Sequence, residues 1–171
     1  KLTIEHYAKI AFEIFNISSI GLRLFNVYGP GQRSNSPYSA VIPIFINRMS
    51  KKLPLIIQGT GMQTRDFTYV EDTCNGMMLA DQTKNAIGST FNIGQGKEET
   101  IKKIANVTLK TYEEITGIDL KTKLKFEKAR KGDVMRHNAD ISHARKILGY
   151  KPSIGLKEGI SRYITWRLNQ K

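Results

Sequence analysis

The sequence is poor in features that would name a chemistry at once. Its single cysteine, Cys74, excludes an internal disulfide framework and fits a reducing cytoplasm. Its three histidines, His6, His137 and His143, lie too far apart for metal-ligand spacing and read as packing or surface residues. No apolar run approaches the roughly 20 residues of a membrane helix, and no signal peptide is visible, so no membrane partner is expected. Neither G-x-S-x-G nor H-E-x-x-H occurs, so hydrolase readings gain no support. No G-x-G-x-x-G follows a strand-like run, so no phosphate-cradling loop is visible. The chain also opens at Lys1 without a methionine, directly inside an amphipathic pattern, and reads as an internal fragment whose beginning lies elsewhere.

What is present is a globular composition, 40% apolar and 25% charged, long enough for one compact core. The net charge of +12 would suit an anionic partner if it were clustered. The lysines and arginines are scattered, with one modest cluster at 125–133, and no zinc spacing or aromatic-glycine RNA motif occurs. Solvation therefore outweighs nucleic-acid binding, and a phosphate-bearing small ligand stays open.

Hydrophobic periodicity predicts helices over 2–15, 39–51, 71–83, 101–116, 141–148 and 156–168, and strands over 19–26, 53–59, 64–70, 89–94 and 121–128. In the first helix the apolar spacing selects Leu2, Tyr7, Ile10, Ala11, Ile14 and Phe15. Thr100 and Gly117 are placed to cap the fourth helix, and Asp140 and Gly149 the fifth. Strands alternate with helices, so the fold class is α/β.

Three clusters could carry chemistry. "RLFNVYGP" ends an apolar strand in polar residues and a breaker loop at 28–37, and in open α/β sheets ligands sit beyond the carboxyl ends of strands. "GTGMQTRDFTYVED" (59–72) holds Arg65-Asp66, readable as a strand-edge ion pair, and Glu71-Asp72, readable as acidic residues favouring a helix start. "KARKGDV" (128–134) is a basic loop, either a turn or an arginine reaching a phosphate.

In this order, together with "SAVIPIFI", "FNIGQG", "NADISHARKILGYKP" and "LKEGISRYITW", these stretches resemble the second half of the nucleotide-sugar epimerases and dehydratases of the extended short-chain dehydrogenase/reductase superfamily. The match runs over essentially all 171 residues and is nearest to UDP-glucose and UDP-N-acetylglucosamine 4-epimerases. The resemblance implies the C-terminal part of a Rossmann-type parallel sheet plus the family's small α/β substrate-binding domain. Residues 1–27 would end the dinucleotide-binding domain and 28–88 would be mainly substrate-binding. Residues 89–94 would return a strand to the cofactor sheet, and 95–171 would complete the substrate side.

It also implies NAD as cofactor, a UDP-sugar as substrate and a homodimer. A missing N-terminal half would carry the glycine-rich loop and a tyrosine four residues before Lys1, so these residues alone are expected to be inactive. Lys1 would hold the nicotinamide ribose and lower the tyrosine pKa, making it the catalytic residue present, and Phe25 would meet the nicotinamide end through its backbone. Asn26 would bind the diphosphate. Ala40 and Val41, where some family members carry Asn-Leu, would approach the nucleotide. Ile57 and Gln58 would flank the uracil, Arg65 would bind phosphate, and Arg130 with Asp133 would close over phosphate and ribose. A 4,6-dehydratase or decarboxylase, a non-catalytic sugar-nucleotide-binding module and a basic nucleic-acid-binding domain stand as alternatives.

Overall fold

A computed structural model describes residues 1–32 and 40–170. The expected loop at 28–37 therefore lies partly outside the described residues, as does the first residue of the helix expected at 39–51.

The chain alternates strands and helices in the order α1 (Leu2–Phe15), β1 (Gly21–Leu24), β2 (Val27–Tyr28), α2 (Val41–Ser50), β3 (Leu55–Gln58), β4 (Thr64–Arg65), β5 (Thr68–Tyr69), α3 (Val70–Gln82), β6 (Thr90–Ile93), β7 (Glu99–Thr100), α4 (Ile101–Thr116), β8 (Leu124–Glu127), α5 (Ser142–Leu148) and α6 (Leu156–Asn169). Three ladders are parallel, β1 with β6, β2 with β5 and β3 with β8, and one, β4 with β7, is antiparallel. In the first, Gly21 faces Thr90 and Leu24 faces Ile93. In the third, Leu55 faces Leu124 and Gln58 faces Glu127.

Capping follows local chemistry. Thr100 Oγ1 accepts from Lys103 N at 3.1 Å, satisfying an orphan donor of α4. Gly117 ends α4 at φ 68°, a left-handed conformation that glycine adopts without a Cβ penalty. Asp140 Oδ1 accepts from Ser142 N at 2.9 Å at the start of α5.

Two apolar cores result. One packs α2, α4 and α6 around β3, with Phe45, Ile46, Ile57, Ile104 and Tyr163 inside. The other packs α5 against β6, with Phe91, Ile93, Ala144, Leu148 and Tyr150 inside, and Tyr150 donates to the Gly94 carbonyl at 3.0 Å. At the close contact between α6 and the aromatics of β2 and β5, Gly159 leaves no room for a side chain: a Cβ there would lie 2.3 Å from the Tyr28 hydroxyl.

The structure corrects three expectations. The strand expected at 64–70 is two short strands, because Asp66 turns its side chain into the interior and breaks the ladder after Arg65. The strand expected at 121–128 is confined to 124–127, and its burial does not alternate: Phe126 is exposed beside Lys125. Strand β7 is an unexpected two-residue strand, formed because Glu99 and Thr100 meet Arg65 and Thr64 across an antiparallel ladder. The apolar side of α1 is uncovered. None of its residues is buried; Glu5, Ala8, Ala11 and Phe12 are its partly covered positions, and Leu2, Tyr7, Ile10, Ile14 and Phe15 are exposed. The helix is covered along Glu5, Ala8, Ala11 and Phe12, with the Phe12 ring against Gly88, and leaves its other apolar residues outward.

Candidate functional site

A cavity of about 380 Å3 opens where the ends of β3, β4 and β8 meet α2 and Asn26, the residue before β2. Its wall holds Asn26, Ala40, Val41, Ile57, Gln58, Arg65, Arg130 and Asp133, all eight positions the sequence singled out for substrate. Lys1 and Phe25 lie apart from it.

One side of the cavity is apolar and neutral, formed by Val41, Ile44 and Phe45 of α2 and Ile56 and Ile57 of β3. Gln63 crosses that side, donating from Nε2 to the Gln58 carbonyl at 2.6 Å. The other side is charged. Arg65 Nη1 donates to the carbonyls of Thr64 (2.7 Å) and Val134 (2.5 Å), and Nη2 reaches Asp133 Oδ1 at 2.5 Å. The pair is largely covered, with side chains 17% and 29% exposed. Arg65 and Asp66 thus do not form the strand-edge ion pair readable in the sequence. Successive residues of an extended chain point to opposite sides, so Arg65 turns to the cavity and Asp66 to the core.

Asp66 is fully buried. Its carboxylate accepts from the backbone N–H groups of Gln95 (2.7 Å), Gly96 (2.9 Å) and Ala139 (3.2 Å). Burial pushes its pKa up, and these hydrogen bonds oppose that rise. Asp72 is likewise buried and accepts from the backbone of Ser153 and Ile154, so of the acidic pair at the start of α3 only Glu71 stays at the surface, where it meets Arg162.

Arg130 precedes Asp133 in a turn closed by Asp133 N donating to the Arg130 carbonyl at 3.3 Å, with Gly132 at φ 78°. Arg130 forms no ion pair among the described residues, which leaves its guanidinium for a ligand. Beyond Asp133 the chain crosses the site as a strap. Thr64 N donates to the Met135 carbonyl at 2.8 Å, Arg136 pairs with Glu98, and His137 meets Asn26 and Phe25. Arg136, with help from Thr64, holds the Glu98 carboxyl below its usual range.

Arg48, Gln63 and Glu127 also line the cavity and were missed in the sequence. Arg48 had a readable signal: it lies four residues after Ile44 and seven after Val41, so an arginine interrupts the apolar stripe of α2. Its Nε donates to the Pro54 carbonyl at 2.5 Å, which holds the guanidinium at the cavity wall. Glu127 had no local signal, because only the β3–β8 register sets it opposite Gln58. Three guanidinium groups and two carboxylates thus stand beside an apolar slot, leaving the charged side of the cavity with a net positive charge.

Lys1 immediately precedes α1, its carbonyl accepting from Ile4 N and Glu5 N. One turn on, Glu5 forms a bidentate pair with Arg23 of β1 (2.8 and 2.5 Å). Helix and strand run in opposite directions, so Lys1 stands at the carboxyl end of β1, the end occupied by Phe25. The Phe25 ring stacks on His137 with centroids 4.8 Å apart.

A family model described as GDP-mannose 4,6 dehydratase matches residues 1–163. The chain belongs to this NAD-dependent epimerase and dehydratase family. A putative UDP-glucose 4-epimerase of Methanocaldococcus jannaschii is 38% identical over 165 residues, 96% of this chain and 50% of that protein. Among solved structures, the UDP-N-acetylglucosamine 4-epimerase of Methanobrevibacter ruminantium M1, in complex with UDP-N-acetylmuramic acid, superposes with a TM-score of 0.88 at 30% identity, over 99% of this chain and 52% of that one. The UDP-glucuronic acid 4-epimerase of Bacillus cereus, in complex with UDP-glucuronic acid and NAD, superposes with a TM-score of 0.84 at 34% identity, over all of this chain and 52% of that one. The chain therefore shares the α/β fold of Rossmann-type epimerases and spans about half the length of the curated relatives it matches. Among the described residues no helix is long and apolar enough to cross a membrane.

Proposed function

We propose that this chain is the sugar-nucleotide half of an NAD-dependent 4-epimerase acting on a UDP-sugar. The observation that carries the reading is the single cavity joining Asn26, Ala40, Val41, Ile57, Gln58, Arg65, Arg130 and Asp133, drawn from segments more than 100 residues apart. In this reading the slot between α2 and β3 takes the base, with Ile57 and Gln58 against it and Ala40 and Val41 at its entrance. Arg65 and Arg130 take the diphosphate, where charge-assisted bonds are strongest. Asp133 orients Arg65 and turns its second oxygen to a ribose hydroxyl.

The residues at the carboxyl end of β1 fit one side of a nicotinamide cofactor site. Phe25 is half-buried there, and Lys1 is an exposed cation at the same end of the sheet. NAD, when bound, supplies reversible two-electron chemistry at the sugar carbon. Lys1 would hold its ribose and favour the ionised form of a neighbouring tyrosine by opposite charge. Residues 1–27 and 89–94 belong to the cofactor side in this division, and the rest to the substrate side. The outward apolar side of α1 suits a homodimer contact.

The test is calorimetric titration of the full-length protein with UDP-glucose, UDP-N-acetylglucosamine, dTDP-glucose and GDP-mannose, followed by product analysis. Preference for a UDP-sugar and formation of its 4-epimer support the reading, and binding to none of the four overturns it. A second reading, a nucleotide-sugar 4,6-dehydratase, is favoured by the dehydratase description of the matching family. It requires a 4-keto-6-deoxy product in place of an epimer.

A further inference from the structure

We propose that Arg48 selects the base of the ligand, its guanidinium donating to a ring carbonyl at the far end of the slot. The chain then favours a keto pyrimidine such as uracil over the amino pyrimidine cytosine. The inference deepens the sugar-nucleotide reading of the cavity and rests on it.

The slot has two different ends. A short connection carries α2 into β3, so the two elements run in opposite directions, with Arg48 beside Pro54 at the start of the strand. Past the other end of β3, Gly59 N donates to the Glu127 carbonyl, and a Cβ on Gly59 would lie 3.4 Å from that of Ala129. The turn from Arg130 to Asp133 follows directly, and Arg65 joins it through Asp133. Arg65 and Arg130 therefore face one end of the slot and Arg48 the other. The strand from Pro54 to Gln58 spans about 13 Å, and Val41, Ile44, Phe45, Ile56 and Ile57, which line the slot between, carry no charge. A nucleoside diphosphate laid along it puts its phosphates at Arg65 and Arg130 and its base toward Arg48. In a pyrimidine joined to ribose through N1, the ring position farthest from the sugar is C4. That atom carries a carbonyl oxygen in uracil and an amino group in cytosine.

Arg48 can tell these two groups apart. It shares a helix face with Val41, Ile44 and Phe45, so the stripe that lines the slot ends in a cation. Its Nε donates to the Pro54 carbonyl at 2.5 Å, which anchors the guanidinium at the start of β3. Among the described residues this is the only hydrogen bond of the side chain, and it forms no ion pair. Both Nη groups are thus left for a ligand. A guanidinium has donors and no acceptor, so it meets a carbonyl oxygen favourably and an amino group as donor against donor. The Pro54 carbonyl already receives Nε and offers a cytosine amino group little in exchange. Between apolar walls the contrast sharpens, because a donor buried without a partner costs more than one left in water.

The test titrates UDP and CDP, which differ only in the base, calorimetrically into the full-length protein and its variants. Wild type should bind UDP at least about 10-fold more tightly than CDP. It should bind 4-thio-UDP, whose sulfur is a weak acceptor, about 3- to 10-fold less tightly than UDP. Arg48→Met keeps an unbranched stem against the slot and removes every donor. It should weaken UDP about 10- to 100-fold, the range for a charged hydrogen bond, and CDP less than about 3-fold. Arg48→Gln, whose amide can turn either a donor or an acceptor to the base, should bind the two nearly alike and guards against a folding defect in the methionine variant. Equal losses for UDP and CDP would overturn the proposal by making Arg48 a phosphate contact or a purely structural residue. A preference for UDP that survives both substitutions would remove Arg48 from the base. Equal wild-type affinities for UDP and CDP, or for UDP and 4-thio-UDP, would overturn the contact without any variant. A wild-type protein that binds neither UDP nor CDP overturns the sugar-nucleotide reading itself, and this inference with it.

Discussion

Helices α1 and α4 have similar lengths and both look amphipathic in sequence, yet their apolar faces meet opposite fates. In α4, Ile101, Ile104, Ala105, Thr108 and Tyr112 are buried among α2, α6 and β3. In α1 no residue is buried, and Ile4, Ile14 and Phe15 are each more than two-thirds exposed. Amphipathicity identifies a face that gains by being covered, but it does not say what covers it. For α4 the cover lies in this chain. For α1 the described residues leave the face open beside a two-stranded parallel ladder, an arrangement that proteins usually bury.

The sharpest test of that contrast compares two phenylalanines in the 171-residue chain. Phe45→Ala should cost about 3–5 kcal/mol by leaving a cavity in the core, whereas Phe15→Ala should stay within about 0.5 kcal/mol, as surface changes do. Denaturant titration measures both. A cost for Phe15→Ala rivalling that of Phe45→Ala would mean that α1 is covered in solution by another polypeptide, and light scattering would then report the association.

Next in size is Asp66→Asn, which keeps the shape but sets an amide among three backbone donors. A loss of about 2–4 kcal/mol is expected from the unsatisfied N–H groups, read by the same titration. A neutral result would show that the clamp between the two sides of the molecule adds little.

Within the cavity, Arg65→Ala and Arg130→Ala should each weaken UDP-sugar binding by about 1.5–3 kcal/mol, the range for charged hydrogen bonds. Arg65→Ala should be the costlier, because it also leaves the Asp133 carboxylate without its partner beside the ligand's phosphates. Calorimetric affinities showing the reverse order would argue that the Arg65–Asp133 pair is purely structural.

The smallest effect concerns Glu98. Its carboxyl is held below its ordinary value of 4.5, chiefly by Arg136. A lowered folded pKa adds stability above the unfolded value and loses it as pH falls through the folded one. The melting-temperature advantage of wild type over Glu98→Gln should therefore be present at neutral pH and shrink as the pH drops below about 4. An advantage that does not vary with pH would remove the ionised strap contact from the account.

Much of the secondary structure was legible because its signals are local. Thr100 and Gly117 delimit α4 as their capping chemistry requires, and the apolar runs at 21–24, 55–58 and 90–93 are strands. Where expectations failed, a distant partner overrode a local pattern. The run at 64–70 looked continuous until Asp66 found three backbone donors at 95, 96 and 139. Arg65 and Asp66 looked like a pair because they are adjacent, yet Asp133, 68 residues away, takes the arginine.

The sequence by itself determined the α/β class, most of the helices and strands, and a set of polar residues at strand ends that could meet a phosphate-bearing ligand. Periodicity, caps and turn residues act over a few positions, so each can be read in one chain segment. Only the tertiary structure decided that five of those polar residues share one cavity with Ala40, Val41 and Ile57, and that Arg48 and Glu127 join them. Those outcomes depend on β3 pairing with β8 and on the strap at 133–139 crossing back to Asn26. Contacts between residues more than 60 positions apart leave no local trace in a single sequence.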